Sequence, residues 1–432
     1  MPSFAEFLLK KKPRRAASFS YVSLFSGAGI GDYGLMLSGG KCIAACEIDP
    51  NRAAVHRTNI GAKVWGNLRE DKAKLIASIA PLRPDLLIAT PPCQSFSTAN
   101  SRRGLREDPD HASRDHRNSL FFEALEVARA LRPYVVFFEN VPNFLKRRIR
   151  SADGKVIGRV EEFMQASLSD YRMFTETICF SKLGVPQRRQ RSIAVFLHKD
   201  VLPLPKTSLF QPEMWPAKLN DTALTILDAI GHLPPLDSAT EALACNSDDP
   251  LHQVPVLEPK HYRWVSDIPP ASGASSWENA CPSCGDNTTP VFKVMCHACN
   301  LPMMNRPHMP ELDGTIRPIK GFKTSYTRMR ADTVAPTMTT ASGHFSSDLK
   351  VHPTQNRVLS PRECAVLQAV PNSFTFPKEQ LYRKAYLVRE MVGEAVPPLV
   401  TFRLGKAITK VLAGVNRPSL RQSTQKTTDQ AA

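Results

Sequence analysis

Apolar and polar positions alternate in two rhythms along the first half of the chain. Tyr21–Phe25 is a short apolar run, and Asp32–Leu37 then takes helical spacing. Lys41–Ile48 reads as a second strand, and Pro50 opens a helix at a position that favours proline. Asp85–Ala89 and Tyr134–Phe138 are continuous apolar runs, as strands buried on both faces should be. Between them Ser119–Leu131 is helically periodic, with Ser119 placed to cap it. Val160–Leu168 predicts another helix, and Phe174–Phe180 and Ser192–Leu197 two more strands. This alternation predicts an α/β fold with a parallel, doubly wound sheet and room for an antiparallel strand late.

From Pro203 to about His352 the rhythm fails. Prolines and polar turns dominate, which predicts an irregular region of short strands and loops. Helical spacing returns at Pro361–Val370, Lys384–Val392 and Pro397–Leu412. The expected division is a basic N-terminal arm (1–19), a discontinuous domain (20–202 plus 356–414), an inserted domain (203–355) and a polar, disordered tail (415–432).

The length of 432 residues agrees with more than one core. Charge adds a partner. Fifty-six Lys and Arg against 40 Asp and Glu leave +16, which points to a polyanion, nucleic acid first. The excess gathers at Lys10–Arg15, at Lys146–Arg159 and after Thr401, where solvated ends and phosphate contacts are equal alternatives. No run approaches the ~18 apolar residues of a membrane span. No secretory leader is visible, so the ten cysteines imply a reducing, cytoplasmic setting and metal or catalysis rather than disulfides.

Four features carry candidate chemistry. Gly27-Ala28-Gly29-Ile30-Gly31 joins the first strand to the first helix, and Glu47 ends the second strand about twenty residues on, placed for ribose hydroxyls. The spacing is not that of dinucleotide enzymes, and S-adenosylmethionine, with a ribose but no pyrophosphate, fits as well; a tight turn without ligand is the alternative. Cys93, in Thr90-Pro91-Pro92-Cys93-Gln94-Ser95-Phe96-Ser97, follows the third strand at the sheet edge where ligands bind. Glu139 ends the next strand on the same edge, where a carboxyl group can act as an acid. In Gln187-Arg188-Arg189-Gln190-Arg191, read as extended, Gln187, Arg189 and Arg191 share a face. Two guanidinium groups there suit a phosphate or carbonyl oxygen. Taken singly, inert packing, a solvated acid and an exposed basic edge are the alternatives.

SLFSGAGIGDYGL, TPPCQSFS, ENV, QRRQR and VGEAVPPLV, in this order, resemble the cytosine-5 DNA methyltransferase family over roughly residues 20–200 and 355–412. The resemblance implies a Rossmann-like, S-adenosylmethionine-dependent catalytic domain and a smaller target-recognition domain in the insert. It implies a thiolate of Cys93 adding to C6 of a flipped-out cytosine, Glu139 at N3, Arg191 at O2 and steadying Glu139, and Arg189 against the backbone or catalytic loop. Phe25, Gly27, Gly29, Glu47 and Asn67 would line the cofactor pocket. Pro91, Gln94, Ser97 and Thr337 would face the DNA, and Ser97–Arg117 resembles the family's closing loop. Asn67 and Glu394 stand where the family usually has Asp and Asn. Double-stranded DNA is the implied substrate of a monomeric enzyme, with a separate restriction endonuclease as a companion and the nucleoid as its place of work.

Cys281-Pro282-Ser283-Cys284 and Cys296-His297-Ala298-Cys299 have the spacing of a four-thiolate zinc site. Such a site has no open position, so its role would be structural, bracing the recognition surface. Lys320, Lys323, Tyr326, Arg328 and Arg330 are candidate DNA contacts beside it. Two rival readings are a tRNA cytosine-5 methyltransferase, which the long zinc-bearing insert disfavours, and an inactive DNA-binding relative, which the intact Cys93, Glu139 and arginines disfavour.

Overall fold

A computed structural model describes residues 2–13, 16–92, 120–150, 156–201, 224–319, 324–347, 349–377 and 385–415. Cys93, Gln94, Ser97, the segment 97–117, Ser119, Lys320, Lys323 and nearly all of the C-terminal tail lie outside the described residues.

The strands in chain order are β1 (Phe19–Leu24), β2 (Gly40–Cys46), β3 (Val64–Trp65), β4 (Leu86–Ala89), β5 (Val135–Asn140), β6 (Arg148–Arg150), β7 (Val156–Arg159), β8 (Tyr171–Cys179) and β9 (Gln190–His198). Seven form one sheet in the order β3-β2-β1-β4-β5-β9-β8. Every pair from β3 to β5 is parallel, and β9 runs antiparallel to both β5 and β8. The basic stretch at 146–159 folds in part as the β6–β7 hairpin.

The apolar runs are continuous because both faces are covered. Tyr21, Ile88, Phe137 and Val195 point into one core, and Val22, Leu24, Leu87, Phe138 and Phe196 into the other. Successive side chains of a strand point oppositely, so a strand between two helical layers must be apolar at every position. The helices of the first half are α1 (Phe4–Leu8), α2 (Ile30–Leu37), α3 (Pro50–Ile60), α4 (Leu68–Ile79), α5 (Leu120–Leu131) and α6 (Val160–Ser167). Helices α4, α5 and α6 supply the second core and α2 the first. The sequence rhythm leaves α4 unassigned, because it buries only Leu68, Leu75 and Ile79 among twelve residues.

Further helices follow: α7 (Ile226–Ile230), α8 (Pro259–Ser266), α9 (Pro361–Leu367), α10 (Ala385–Glu394) and α11 (Pro398–Leu412). Leu399, Val400, Phe402, Leu404 and Ile408 of α11 join the same core as Ile30, Tyr33 and Leu35 of α2. Each fully buried side chain of this kind is worth about 1.5–3 kcal/mol. The Thr401 hydroxyl also donates to the Gly31 carbonyl at 2.6 Å. The last helix therefore completes the layer that the first glycine loop begins.

At the two basic ends, read as either solvated or phosphate-facing, apolar residues anchor the chain while Lys11, Lys12, Lys406 and Lys410 stay exposed. Phe7 is buried and packs edge-on against Phe402 at 5.4 Å, and the Lys10 carbonyl accepts from the Ser373 hydroxyl at 2.6 Å. Arg403 is buried within α11. The apolar Phe4, Phe7 and Leu8 outweigh the lysines that follow them.

Among the described residues between Leu224 and Ser360 regular structure is sparse: α7, α8, a 3-10 turn at Ser276–Glu278 and the hairpin of β10 (His308–Pro310) with β11 (Ile316–Pro318). A small aromatic core of Trp264, Trp277, Val294 and Tyr326 sits within it. Buried arginines do the rest. Arg328 donates to the carbonyls of Val265, His352 and Gln355 and to Asn356 Oδ1, at 2.6–3.1 Å. Arg306 donates to the carbonyls of Asn279, Thr289, Pro290 and Lys293. Two expected DNA contacts are thereby corrected: Tyr326 and Arg328 are interior, at 5% and 0% exposure, because they satisfy loop carbonyls and fill the aromatic core. Arg330 is exposed and paired with Asp332.

Candidate active site at the carboxyl edge of the sheet

Parallel strands bring their carboxyl ends to one edge. Phe25 and the glycine loop follow β1, Glu47 follows β2, Thr90 and Pro91 follow β4, and Glu139 and Asn140 end β5. Because β9 runs the other way, its first residues reach the same edge. The register pairs Glu139 with Ile193 and Asn140 with Ser192, which places Arg191 beside the end of β5. Arg191 Nε lies 2.9 Å from Glu139 Oε1, an ion pair without hydrogen-bond alignment. Glu139 is 6% exposed.

Around that pair the backbone is fixed by side chains. Asn140 Nδ2 donates to the Pro91 carbonyl at 3.1 Å, and the Thr90 hydroxyl donates to the Phe25 carbonyl at 3.0 Å. The Pro91 carbonyl keeps its second lone pair for another donor. The chain leading into Cys93 is thus tied to both β5 and the glycine loop.

Gln187, Arg189 and Arg191 do different work. The Gln187 amide donates to the Leu367 carbonyl at 3.0 Å, and its oxygen accepts from the Met338 N–H at 3.0 Å. Arg189 is buried; Nη1 donates to the Met338 carbonyl at 3.0 Å and Nη2 to the Glu394 carbonyl at 3.3 Å. Arg189 thus fastens the backbone of the Thr337–Thr340 segment and of the end of α10 to the start of β9. Thr337 donates from its hydroxyl to the Arg188 carbonyl at 2.7 Å. The Thr337–Thr340 segment therefore lies directly against the start of β9, and Gly393 of α10 abuts the Thr339 backbone.

On the cofactor side, Glu47 is held at both oxygens: Oε2 accepts from the Gly27 N–H at 2.9 Å and Oε1 from the Asp49 N–H at 2.8 Å. Phe25 takes a positive φ of 58°, rare for a residue with a side chain, which turns the chain sharply out of β1. A side chain at Gly27 would meet open space. Gly29 differs: with φ of 77°, its added Cβ would come within 2.8 Å of the His56 ring, so packing alone demands glycine there. His56 in turn bonds Asp32 at 3.0 Å, beneath the loop. Asn67 caps α4, its oxygen accepting from the Arg69 N–H at 3.1 Å while its amide donates to Glu70 at 2.7 Å. Sequence reasoning passed over Ile48, which stands 69% exposed directly after Glu47. Its signal, an apolar residue immediately following the ribose-type acid, was present.

The four cysteines of the insert converge. All four sulfurs lie within 4.8 Å of one another, with Cys281–Cys299 at 3.7 Å and Cys284–Cys296 at 3.6 Å. These are too long for disulfides. The two knuckles repeat one backbone geometry. The Cys281 carbonyl accepts from the Gly285 N–H and its N–H donates to the Asp286 carbonyl, while the Cys296 carbonyl accepts from the Asn300 N–H and its N–H donates to the Leu301 carbonyl. The fourth residue after each leading cysteine has positive φ, 78° at Gly285 and 56° at Asn300, the two residue types that tolerate it best. Burial opposes ionisation of Cys281, but the Ser283 and Cys284 N–H groups hold its thiol down at about 6. The Asp286 N–H pulls Cys284 down too, but surrounding sulfurs, Cys299 first, push it up to about 12.

No helix among the described residues is long and apolar enough to cross a membrane. Known proteins resemble this chain along most of its length. It is 26% identical over 400 residues to the Type II methyltransferase M1.HgaI of Avibacterium volantium, covering 90% of this chain and 97% of that one. It is 26% identical over 414 residues to M1.HphI of Haemophilus parahaemolyticus, covering 94% and 91%. Among solved structures, a prophage-encoded E. coli protein titled a DNA modification methyltransferase superposes with a TM-score of 0.59 at 19% identity, over 91% of this chain and 99% of that one. The S. pombe Dnmt2 methyltransferase gives 0.55 at 14%, over 92% and 100%. These two show the fold. The family described as C-5 cytosine-specific DNA methylase matches residues 19–410, and the chain belongs to it.

Proposed function

We propose that the protein methylates C5 of a cytosine flipped out of a specific double-stranded DNA sequence, as the modification enzyme of a restriction-modification or host-defence system. The observation that carries this reading is the Glu139–Arg191 pair, 2.9 Å apart at the sheet edge beside the Pro91 carbonyl. When bound, S-adenosylmethionine supplies an electrophilic methyl group. Phe25, Gly27, Glu47 and Asn67 would hold it, and exposed Ile48 offers an apolar surface to a flat ring. Glu47 keeps unused lone pairs on both oxygens for ribose hydroxyls, since each oxygen accepts one backbone N–H.

The chain's own groups then act on the base. The Pro91 carbonyl accepts from the exocyclic amine. Glu139 engages N3 and draws electron density from the ring, and Arg191 holds Glu139 in place and contacts O2. The Cys93 thiolate forms a bond to C6, so that C5 becomes a carbon nucleophile. After methylation, loss of the C5 proton to a base expels Cys93 as thiolate and restores the aromatic ring. The base must leave the stack for this, at a cost of a few kcal/mol.

We assign residues 203–355 to target recognition and structural zinc to the four cysteines. A tetrahedral metal with metal–sulfur bonds of ~2.3 Å sets sulfurs about 3.8 Å apart, close to the spacings found here. The enzyme acts as a monomer in the cytoplasm on nucleoid DNA, with any cognate endonuclease working separately.

Bisulfite sequencing of DNA treated with the protein and S-adenosylmethionine tests the activity and identifies the site. A parallel RNA substrate should stay unmodified. Cys93→Ser should abolish transfer and spare DNA binding; turnover near the parent rate would sink the covalent mechanism.

A further inference from the structure

Glu394 stands where the family usually has asparagine, and the structure gives it a partner. Both carboxylate oxygens lie 3.0 Å from one nitrogen, Nη2 of Arg52, in the first turn of α3. Glu394 is Arg52's only side-chain partner among the described residues, so Nη1 and Nε stay available. The two side chains are 23% and 33% exposed, open enough for a ligand to reach them.

The pair belongs to the cofactor side. The turn after α10 crosses the glycine loop, with the Val396 carbonyl 3.5 Å from where a Cβ on Gly31 would be. Arg52 rises from the helix that Asp49 caps, two residues past Glu47. Burial lifts the Glu394 carboxyl above the ordinary carboxylate range, Arg52 pulls against it, and Glu47, Glu390 and Asp49 add to the rise. Glu394 thus feels the charges of the very residues expected at the ribose. Its backbone is fixed as well, since its carbonyl accepts from Arg189 at 3.3 Å.

A carboxylate and a guanidinium held side by side, each with unused hydrogen-bonding capacity, match a zwitterion. We propose that Arg52 and Glu394 form a receptor for the amino-acid end of the cofactor, Arg52 taking the α-carboxylate and Glu394 the α-ammonium. The inference rests on the reading of the glycine loop and Glu47 as the S-adenosylmethionine pocket. Neither charge could serve alone: an unpaired Glu394 would repel the incoming carboxylate, and Arg52 without Glu394 would lose its orientation. The asparagine-to-glutamate departure and the arginine on α3 are two halves of one site.

Calorimetric binding to the full-length protein tests this with two ligands, S-adenosylhomocysteine and 5′-methylthioadenosine, which has the same nucleoside but no amino-acid end. The parent should prefer S-adenosylhomocysteine. Arg52→Gln and Glu394→Gln should each reduce that preference about tenfold while leaving 5′-methylthioadenosine affinity within about twofold, and Arg52→Lys should recover part of the loss. A tenfold loss corresponds to about 1.4 kcal/mol. An unchanged preference in both variants, or equal weakening of both ligands, would overturn the receptor and leave the pocket standing. Failure of the parent to bind either ligand would instead remove the pocket assignment, and the receptor with it.

Discussion

The two halves of this molecule hold themselves together by opposite means. In the seven-stranded sheet, stability comes from apolar side chains on both faces, and polar groups meet at one edge. In the stretch from Leu224 to Ser360 the apolar clusters are small, and buried arginines tie the loops together. Arg306, Arg328 and Arg357 are each at most 1% exposed, and all donate to backbone carbonyls. Loops buried without ladders leave carbonyls unpaired, and each such group costs about 1–3 kcal/mol. A guanidinium with five donors in a planar fork satisfies several at once. A sheet buys order with repetition; the insert assembles it from single, irreplaceable contacts.

That contrast can be broken most severely at the four sulfurs. Chelation, or Cys281→Ser, should open the segment 281–299 to protease while the sheet stays folded by circular dichroism, and metal analysis of the parent should find one zinc per chain. Protein free of metal yet resistant to protease would contradict it. Next in size is Arg328. Arg328→Lys keeps the charge but cannot reach four acceptors, and should lower stability by roughly 3 kcal/mol or more in urea unfolding, since orphaned carbonyls are left behind. A loss under about 1 kcal/mol would mean the carbonyls find other partners. On the sheet side, Leu87→Met conserves volume at a fully buried position and should cost less than about 1.5 kcal/mol. A cost equal to that of Arg328→Lys would erase the distinction.

The smallest effect sharpens the seam between the halves, where Glu363 is 1% exposed with Arg357 at 2.7 Å and His352 at 3.5 Å. Burial alone would raise its carboxyl; hydrogen bonds from Arg357 and His352 outweigh that and hold it far below the ordinary 4.5. A depressed carboxylate contributes stability that is full above about pH 4.5 and is lost as pH falls toward its lowered value. Glu363→Gln should therefore flatten the acid side of the stability profile. An unaltered acid limb would show that Glu363 is not its source.

The same contrast explains what could be read from the sequence. Strands β1, β4, β5 and β9 and helices α2, α3, α5, α10 and α11 were legible because burial on a repeating lattice writes a period into the chain. Strand ends converging on one edge placed Glu139 there, while its meeting with Arg191 was implied only by the family resemblance. The interior arginines were not legible, because nothing in an isolated Arg328 distinguishes a carbonyl ligand from a phosphate ligand. The docking of Phe7 on Phe402 was hidden by the lysines that follow it.

The bond from Thr401 to Gly31 joins groups 370 residues apart, and it sets a clock. At a synthesis rate of ~5–20 residues per second, the face that α11 covers stays bare for roughly 20–75 seconds after the glycine loop is made. Throughout that interval the apolar face of α2 that α11 will cover is open to water.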